Sequence, residues 1–222
     1  LMSIIDYNLK KNDKKSKFYQ KTSDAIDKKI VNYIDCGKIE NIFKPKFTIN
    51  NNDTDFVKRL YNILSKQNCT ETEFHFQVSK RLHELLPSSS SASKLGKICI
   101  KRKEFNQAIE YFDMAIEIEE DSDKRAKYLL EKADAYRISK NYTSAILTAE
   151  QSIDLKKNWG EAFITIGNIF VAGAGNCNSD FEKSTVYWVA VDYFTKALSD
   201  ESTNERARKS INTYSKYFPT KE

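Results

Sequence analysis

The chain has 222 residues, which suffices for one or two ordinary domains or for one elongated array of repeats. Charged residues make up 30% of it, yet it has only 6 glycines and 3 prolines, a composition that favours long helices over short strands with many turns. No run of about 18 apolar residues occurs, so the sequence predicts no membrane-spanning helix.

The opening third of the chain is rich in lysine, although the net charge of the whole chain is only +5. We interpret these lysines as a solvated helix face rather than as a patch for nucleic acid or an anionic membrane. Helices are predicted over residues 1–12 and 18–33. Because Leu1 precedes Met2, we expect the sequence to be a fragment or a processed form whose signal sequence lies outside it.

The segment before the first clear repeat predicts several short helices. The helix that follows Cys36 is expected to be kinked or shortened by Pro45, and Asp53 or Thr54 is expected to cap the next helix. The serine tract over residues 88–91 is predicted to be a turn between two repeats.

Two capping boxes are predicted at helix starts, because a threonine or serine is followed three residues later by a glutamate. The first joins Thr70 to Glu73, and its helix should stop at Pro87. The second joins Ser202 to Glu205 and begins the last helix, which has one apolar and one polar face. A helix of this kind closes the open end of a helical array.

The stretch from Leu95 to Ile118 predicts an antiparallel helical hairpin. Apolar residues at helical spacing stand on both sides of a short polar connection over residues 101–104. Small residues such as Gly96 and Ala108 would allow the two helix backbones to approach closely.

These small residues recur along the chain. Gly96, Ala133 and Gly167 lie 37 and 34 residues apart, each in the first helix of a predicted hairpin. The second helices carry alanines in the same register, which are Ala108, Ala145 and Ala190. A period near 34 with two helices per unit is typical of the tetratricopeptide repeat. The chain therefore resembles tetratricopeptide-repeat (TPR) proteins, most clearly over residues 89–197.

The resemblance implies an all-α fold, a right-handed α-α superhelix of antiparallel helical hairpins whose first helices line a concave groove. The implied units are degenerate helical repeats over 1–88, TPR units over 89–122, 126–159 and 160–201, and a C-terminal capping helix over 202–222. In the second TPR unit Ala149 occupies a position where the family usually has a large aromatic residue.

The resemblance also implies a binding surface on the first helices. Some family members clamp a C-terminal carboxylate there, but Ser93 and Glu131 occupy two of the clamp positions, so binding of a chaperone tail is not predicted. The candidate groove residues are Ser93, Lys97, Ile100, Lys101, Lys127, Leu130, Asp134, Arg137, Ile164, Asn168 and Val171.

The third unit is longer than the others. Its two small residues lie 23 residues apart, against 12 in the first two units, and we expect the insertion to form a protruding loop over residues 173–185. Asn176, Asn178 and Asp180 alternate there as at the start of a calcium loop. The glycine and the bidentate acid of such a loop are missing, so the segment favours a polar recognition loop and no metal site is predicted.

The four cysteines include no C-x-x-C pair, which argues against zinc or thioredoxin chemistry. Cys36 and Cys69 both stand at helix junctions 33 residues apart. A disulfide between them and two free thiols are both open at this point, and the disulfide would suit an oxidising compartment. Cys99 is expected to be buried, and Cys177 to be exposed.

Motifs for nucleophilic catalysis, phosphate binding and metalloprotease chemistry do not occur in the sequence, so neither enzymatic activity nor a cofactor is predicted. The leading hypothesis is a protein-interaction scaffold that holds a peptide or protein partner in the groove and at the 173–185 loop. The alternative is a structural spacer or assembly module of a larger protein, and nucleic-acid binding ranks third.

A looser similarity to bacterial cell-envelope TPR proteins lies in the run over residues 186–188 and in the ending over residues 214–219. It favours the periplasm or the outer membrane as the location and envelope proteins as the associates. No small-molecule substrate is expected.

Overall fold

The structure is a computed structural model that describes residues 21–22, 25 and 35–218. The helices predicted over residues 1–12 and 18–33 fall almost entirely outside these residues. Every regular element among the described residues is an α-helix or a short 3-10 helix. The all-α fold class predicted from the sequence is therefore confirmed.

Two compact units divide the chain, Leu1–Pro87 and Ser88–Glu222. The described part of the first unit contains three helices, α1 over Cys36–Asn50, α2 over Thr54–Lys66 and α3 over Glu73–Leu85. Their apolar stripes meet in one core, whose buried residues are Ile39, Phe43, Val57, Leu60, Ile63, Leu64, Cys69, Phe74 and Val78.

Of the two predicted effects of Pro45, a kink or a shortened helix, the shortening does not occur in α1. The helix continues through Pro45 to Asn50. Lys44, Pro45 and Lys46 are all exposed, so water can satisfy the carbonyl group that loses its amide partner at the proline. As predicted for the next helix, Asp53 is the cap, and its side chain accepts a hydrogen bond from the Phe56 amide at 3.2 Å.

The first predicted capping box is wrong. Helix α3 is capped by Thr72, whose hydroxyl accepts a hydrogen bond from the His75 amide at 3.1 Å and donates to the Cys69 carbonyl at 2.8 Å. Thr70 instead lies in the preceding turn, which the Thr72 amide closes on the same carbonyl. The turn after Cys69 therefore displaces the start of the helix by two residues.

Cys36 and Cys69 form a disulfide, with their Cα atoms 5.6 Å apart. It joins the first residue of α1 to the turn between α2 and α3. Cys99 is buried, and its thiol donates to the Gln107 side chain at 3.7 Å, whereas Cys177 is a free and partly exposed thiol.

The second unit consists of three helical hairpins and a terminal helix. The helices are α4 over Ser89–Lys101, α5 over Phe105–Ile118, α6 over Ser122–Ile138, α7 over Tyr142–Leu155, α8 over Gly160–Gly173, α9 over Asp180–Lys196 and α10 over Asn204–Tyr214. The second hairpin begins at Ser122, four residues before the predicted start of its unit at residue 126.

Two further helix starts differ from the predictions. The serine tract is helical from Ser89 onwards, because Ser88 and Ser91 cap the helix reciprocally. The box predicted at Ser202 does not form. Its hydroxyl donates to Asp200, and α10 begins two residues later, after Thr203, which makes no side-chain cap.

The insertion in the third hairpin is mostly helical rather than an extended loop. Helix α8 continues to Gly173, a 3-10 turn spans Ala174–Asn176, and α9 already begins at Asp180. The predicted 173–185 loop is thus reduced to a few residues, because the extra sequence lengthens the second helix of the hairpin.

Helix α10 packs against the last hairpin. Ala207 is fully buried, and the ring of Tyr214 stacks on Tyr187 and Phe194 at centroid distances of 5.6 and 5.9 Å. The chain then runs back along α9, where Tyr217 stacks on Tyr187 at 4.8 Å. These aromatic contacts hold the terminal helix in place.

Candidate binding groove

The first helices of the hairpins in the second unit lie side by side and are linked by polar contacts. The Ser93 hydroxyl of α4 donates to Glu131 of α6 at 2.5 Å, and the Lys97 ammonium approaches the same carboxylate at 2.7 Å. These contacts place the face of α4 that carries Ser93 and Lys97 next to the face of α6 that carries Glu131.

A depression of about 310 Å³ opens between α6, α8 and α10. The residues around it are Asp134, Arg137, Thr165, Asn168, Val171, Ala172 and Tyr214. Four of these were candidate groove residues from the sequence, namely Asp134, Arg137, Asn168 and Val171. Residues from two different repeats are therefore brought to one concave surface.

Three of the lining residues were missed by the sequence analysis. Thr165 and Ala172 lie three residues before and four residues after Asn168, so helical spacing could have identified them. Tyr214 packs on the apolar face of α10 and also forms one side of the depression.

One charged pair lies at the depression. Arg137 holds Asp134 through two contacts to the same carboxylate oxygen, at 2.8 Å from Nε and 2.7 Å from a terminal nitrogen. Both side chains stay partly exposed. The pair can therefore exchange its internal contact for contacts to a bound polar group at modest cost.

Three candidate groove residues are buried, which corrects the prediction. Ser93, Leu130 and Ile164 are 4%, 9% and 6% exposed. The Ser93 hydroxyl is used by Glu131, Leu130 packs in the core between the second and third hairpins, and Ile164 packs on the α9 side. None of them can present a side chain to a partner.

The remaining candidates extend the surface along α4 and α6. Lys97, Lys101 and Lys127 are exposed, and Ile100 is partly exposed. Lys127 lies two helical turns before Asp134, so it belongs to the same stripe of α6.

The residues predicted on the insertion are accessible but do not converge. Asn176 lies in the 3-10 turn, the Asn178 amide donates to Glu182 at 2.7 Å, and Asp180 pairs with Lys183 at 3.6 Å. Beside them a shallow cavity of about 460 Å³ is bordered by the apolar ring of Phe181, which is 72% exposed. This ring is not among the residues predicted from the sequence.

Among the described residues no group of three or more His, Cys, Asp or Glu side chains is arranged to hold a metal ion. Over the same part of the chain, none of the helices has the length and apolar character needed to cross a membrane.

Comparisons with known proteins find the fold but no sequence family. No family model matches the sequence, and no curated protein matches it. Among solved structures, MamA is 18% identical over 84% of this chain and 89% of its own, with a TM-score of 0.55. Cut9–Hcn1 of the APC/C is 14% identical over 78% of this chain and 35% of its own, with a TM-score of 0.51.

A third match is the Sgt2 TPR domain from Aspergillus fumigatus, 20% identical over 59% of this chain and 78% of its own, with a TM-score of 0.47. Stacked antiparallel hairpins closed by a terminal helix define a helical-repeat protein. Within that class, the chain has the fold of tetratricopeptide-repeat proteins.

Proposed function

We propose that this protein is a non-enzymatic scaffold that binds a peptide or protein segment in the groove of its second unit. The observation that supports the proposal is the convergence of Asp134, Arg137, Asn168 and Val171, from two repeats, on one depression beside Tyr214. A concave surface with few charged groups and an aromatic wall is suited to an extended segment or to one helix face.

Site-specific photo-crosslinking in the native cell tests this proposal. A photoreactive phenylalanine analogue replaces Asn168 in the depression, and in a matched control it replaces Leu147, which is 57% exposed on α7. We expect an adduct with a defined protein from position 168 that is absent from position 147, with mass spectrometry as the readout. Equal adducts from both positions, or none from position 168, would contradict groove binding.

The proposal includes a second contact at the insertion. Phe181 offers a large apolar surface beside a shallow cavity, and burial of such a ring on binding contributes roughly 2 kcal/mol. Phe181→Ser should therefore weaken the crosslinked complex without unfolding the chain, because the ring packs on little else. An unchanged yield of adduct would restrict the contact to the groove.

We also propose that the protein resides in an oxidising compartment, the bacterial cell envelope. The disulfide between Cys36 and Cys69 supports this, because such bonds persist outside the reducing cytosol. Alkylation of intact cells with a maleimide polymer, with and without reductant, tests it. Cys36 and Cys69 should react only after reduction, and cell fractionation should place the protein outside the cytosol.

A further inference from the structure

We infer that the outer face of α9 binds the same face of a second copy of this chain, with the two helices antiparallel. The inference rests on the proposed function at one point, the contact at Phe181, and it names a second copy as the molecule that makes this contact. From Phe181 onwards, the exposed residues of α9 form one stripe along the helix. They are Phe181, Glu182, Thr185, Trp188, Asp192, Thr195 and Lys196.

Aromatic rings distinguish this stripe from the rest of the described surface. Among the described residues, three aromatic side chains are more than half exposed, namely Phe181 at 72%, Trp188 at 53% and Tyr217 at 53%. Two of them belong to the stripe, and the third lies in the segment that follows α10. Exposed apolar surface concentrated in one region in this way marks an interaction site.

Trp188 lies at the middle of the stripe and is held in place before any partner binds. Its ring packs against the ring of Phe218 with the centroids 6.0 Å apart, while about half of its surface stays open to solvent. A tryptophan that loses little conformational freedom on binding is the kind of residue that supplies most of the binding energy of an interface.

The stripe is self-complementary about Trp188. Phe181 lies seven residues before it and Thr195 seven residues after it. A two-fold axis through Trp188 therefore places Phe181 of each copy against Thr195 of the other, and Trp188 against itself. The Thr195 hydroxyl donates to the Val191 carbonyl within the helix at 2.8 Å, which leaves its methyl group to contact the ring.

The charges of the stripe favour the same arrangement. Glu182 stands at its beginning and Lys196 at its end, 14 residues apart and thus on one side of the helix after about four turns. When the two copies are antiparallel, the acidic end of each meets the basic end of the other, whereas a parallel pair would place like charges together. The two copies of Asp192 would lie about 12 Å apart along the helices, so they repel each other weakly.

A membrane surface fits the stripe less well. Insertion of the two rings into a bilayer would also bring Glu182 and Asp192 to the headgroups, where anionic lipids repel carboxylates and burial of the charges is costly. The stripe is about 22 Å long, so a pair of such helices forms an interface at the small end of the range. We therefore expect a weak dimer that dissociates on dilution.

Sedimentation velocity of the whole chain over a range of concentrations tests the inference. We expect a monomer–dimer equilibrium whose Kd increases at least tenfold in Trp188→Ala. The matched control is Leu147→Ala, which removes a side chain that is 57% exposed on α7 and should leave the Kd unchanged. Circular dichroism confirms that both variants keep their helices.

Cysteine crosslinking tests the direction of the two helices. Thr185→Cys and Asp192→Cys are made in two chains with different tags, each also carrying Cys177→Ser. These positions lie three residues before and four residues after Trp188, so the antiparallel pair brings one against the other and keeps the two copies of each about 9–12 Å apart along the helices. A disulfide should therefore form in the mixture and in neither chain alone. Disulfides within each chain alone would overturn the antiparallel pair.

The outcomes separate this inference from the proposed function. A chain that stays monomeric at every concentration, or a dimer that is indifferent to Trp188→Ala, would overturn the pairing of α9 even if position 168 still gives its adduct. A dimer sensitive to Trp188→Ala would uphold the pairing even if position 168 gives no adduct and groove binding fails. A monomer that binds vesicles of anionic lipid, and loses this binding in Trp188→Ala, would overturn the second copy in favour of a membrane.

Discussion

Two glycines of the second unit are required by aromatic rings on the partner helices. A Cβ atom at Gly96 would lie 2.9 Å from the ring of Phe112, and one at Gly167 would lie 2.4 Å from the ring of Phe194. In the middle hairpin the corresponding pair is Ala133 and Ala149, both fully buried. A glycine thus faces a phenylalanine in two hairpins and an alanine faces an alanine in the third, so each interface is filled.

Gly167→Ala should destabilise the chain by about 1–3 kcal/mol, because the added methyl group overpacks the contact with Phe194. Urea unfolding measures this change in the free energy of unfolding. The control is Gly175→Ala, where a Cβ atom meets nothing within 4 Å, and it should be close to neutral.

The pairing predicts a coupling as well. Phe194→Ala alone should cost about 3–5 kcal/mol through the cavity it leaves. The double variant Gly167→Ala/Phe194→Ala should cost less than the sum of the single variants, because it reproduces the alanine pair of the middle hairpin. Strict additivity would show that the ring and the glycine do not act on each other.

His75 lies in the core of the first unit and is 2% exposed. Its ring nitrogens lie 3.3 Å from the Ser65 hydroxyl and 3.4 Å from the Ser79 hydroxyl. Burial lowers the pKa of His75 below its ordinary value of 6.5. Below pH 6.5 the unfolded chain therefore binds more protons than the folded chain, and stability should decrease as the pH falls from 6.5 through the folded pKa.

Urea unfolding between about pH 7.5 and about pH 5 measures this loss, which cannot exceed about 1.4 kcal/mol per pH unit for one histidine. His75→Phe should reduce the slope. It should not abolish the slope, because burial also lowers the pKa of the other histidine, His83. An unchanged slope in the variant would exclude His75 as a source of acid sensitivity.

The turns inside the first two hairpins of the second unit have one geometry. Lys103 and Lys140 both adopt positive φ, at 62° and 65°. The residue after each donates its amide back to the last turn of the preceding helix, Glu104 to the Cys99 carbonyl and Asn141 to the Tyr136 carbonyl. This is the usual end of a helix at a left-handed residue, a position that glycine adopts at less cost than lysine.

Lys140→Gly should therefore stabilise the chain by about 0.5–1 kcal/mol, although it removes a side chain. Lys127→Gly, an exposed position inside α6, should destabilise it by about 1 kcal/mol. Thermal and urea unfolding of the two variants should give shifts of opposite sign. A loss of stability in both would mean that the Lys140 side chain makes a contribution larger than the backbone effect.

The open end of each hairpin is closed by a polar contact to a residue within four positions of the end of the second helix. The Ser89 hydroxyl donates to Glu119 at 2.6 Å, Lys156 pairs with Asp123 at 2.6 Å, and the Gly160 amide donates to Asp200 at 2.9 Å. The start of the first helix and the end of the second are therefore joined by a different pair of polar groups in each hairpin.

Hydrogen bonds at these positions also lower the pKa of two carboxyl groups. The hydrogen bond from Ser89 lowers the pKa of Glu119. Hydrogen bonds from Ser202 and then from Gly160 lower the pKa of Asp200. The ionised forms of both groups therefore stabilise the folded chain, and this stabilisation is lost as the pH falls through their lowered pKa values.

At the scale of the whole chain, the disulfide belongs to the first unit and both tryptophans, Trp159 and Trp188, belong to the second. Cys36 and Cys69 are 33 residues apart, a separation for which loop entropy gives about 3–4 kcal/mol of stabilisation. Tryptophan fluorescence therefore reports the second unit alone, whereas circular dichroism reports the helices of both.

Cys36→Ser/Cys69→Ser should lower the midpoint of the helix signal in urea while the midpoint of the tryptophan signal changes little. Reductant should have the same effect on the unaltered chain and none on the variant. Equal shifts of the two midpoints would show that the disulfide stabilises the second unit as well as the first.

The helix starts show how far local sequence rules extend. Asp53 caps α2 as predicted, yet Thr72 and not Thr70 caps α3, and α10 begins after Thr203 and not at Ser202. Each misplaced start follows a turn that is closed on Cys69 or on Asp200. Cys69 is joined to Cys36 by the disulfide and Asp200 accepts from the Gly160 amide, and a local pattern does not contain these contacts between distant residues.

The sequence by itself determined the hairpins, because small residues recur at Gly96, Ala133 and Gly167, where the first helix of each hairpin meets the second. The tertiary structure decided which polar and apolar residues of the first helices remain accessible. Ser93, Leu130 and Ile164 share the helical spacing of the groove residues but are covered by adjacent helices. Burial depends on what packs against a helix, and periodicity within one helix does not specify its neighbours.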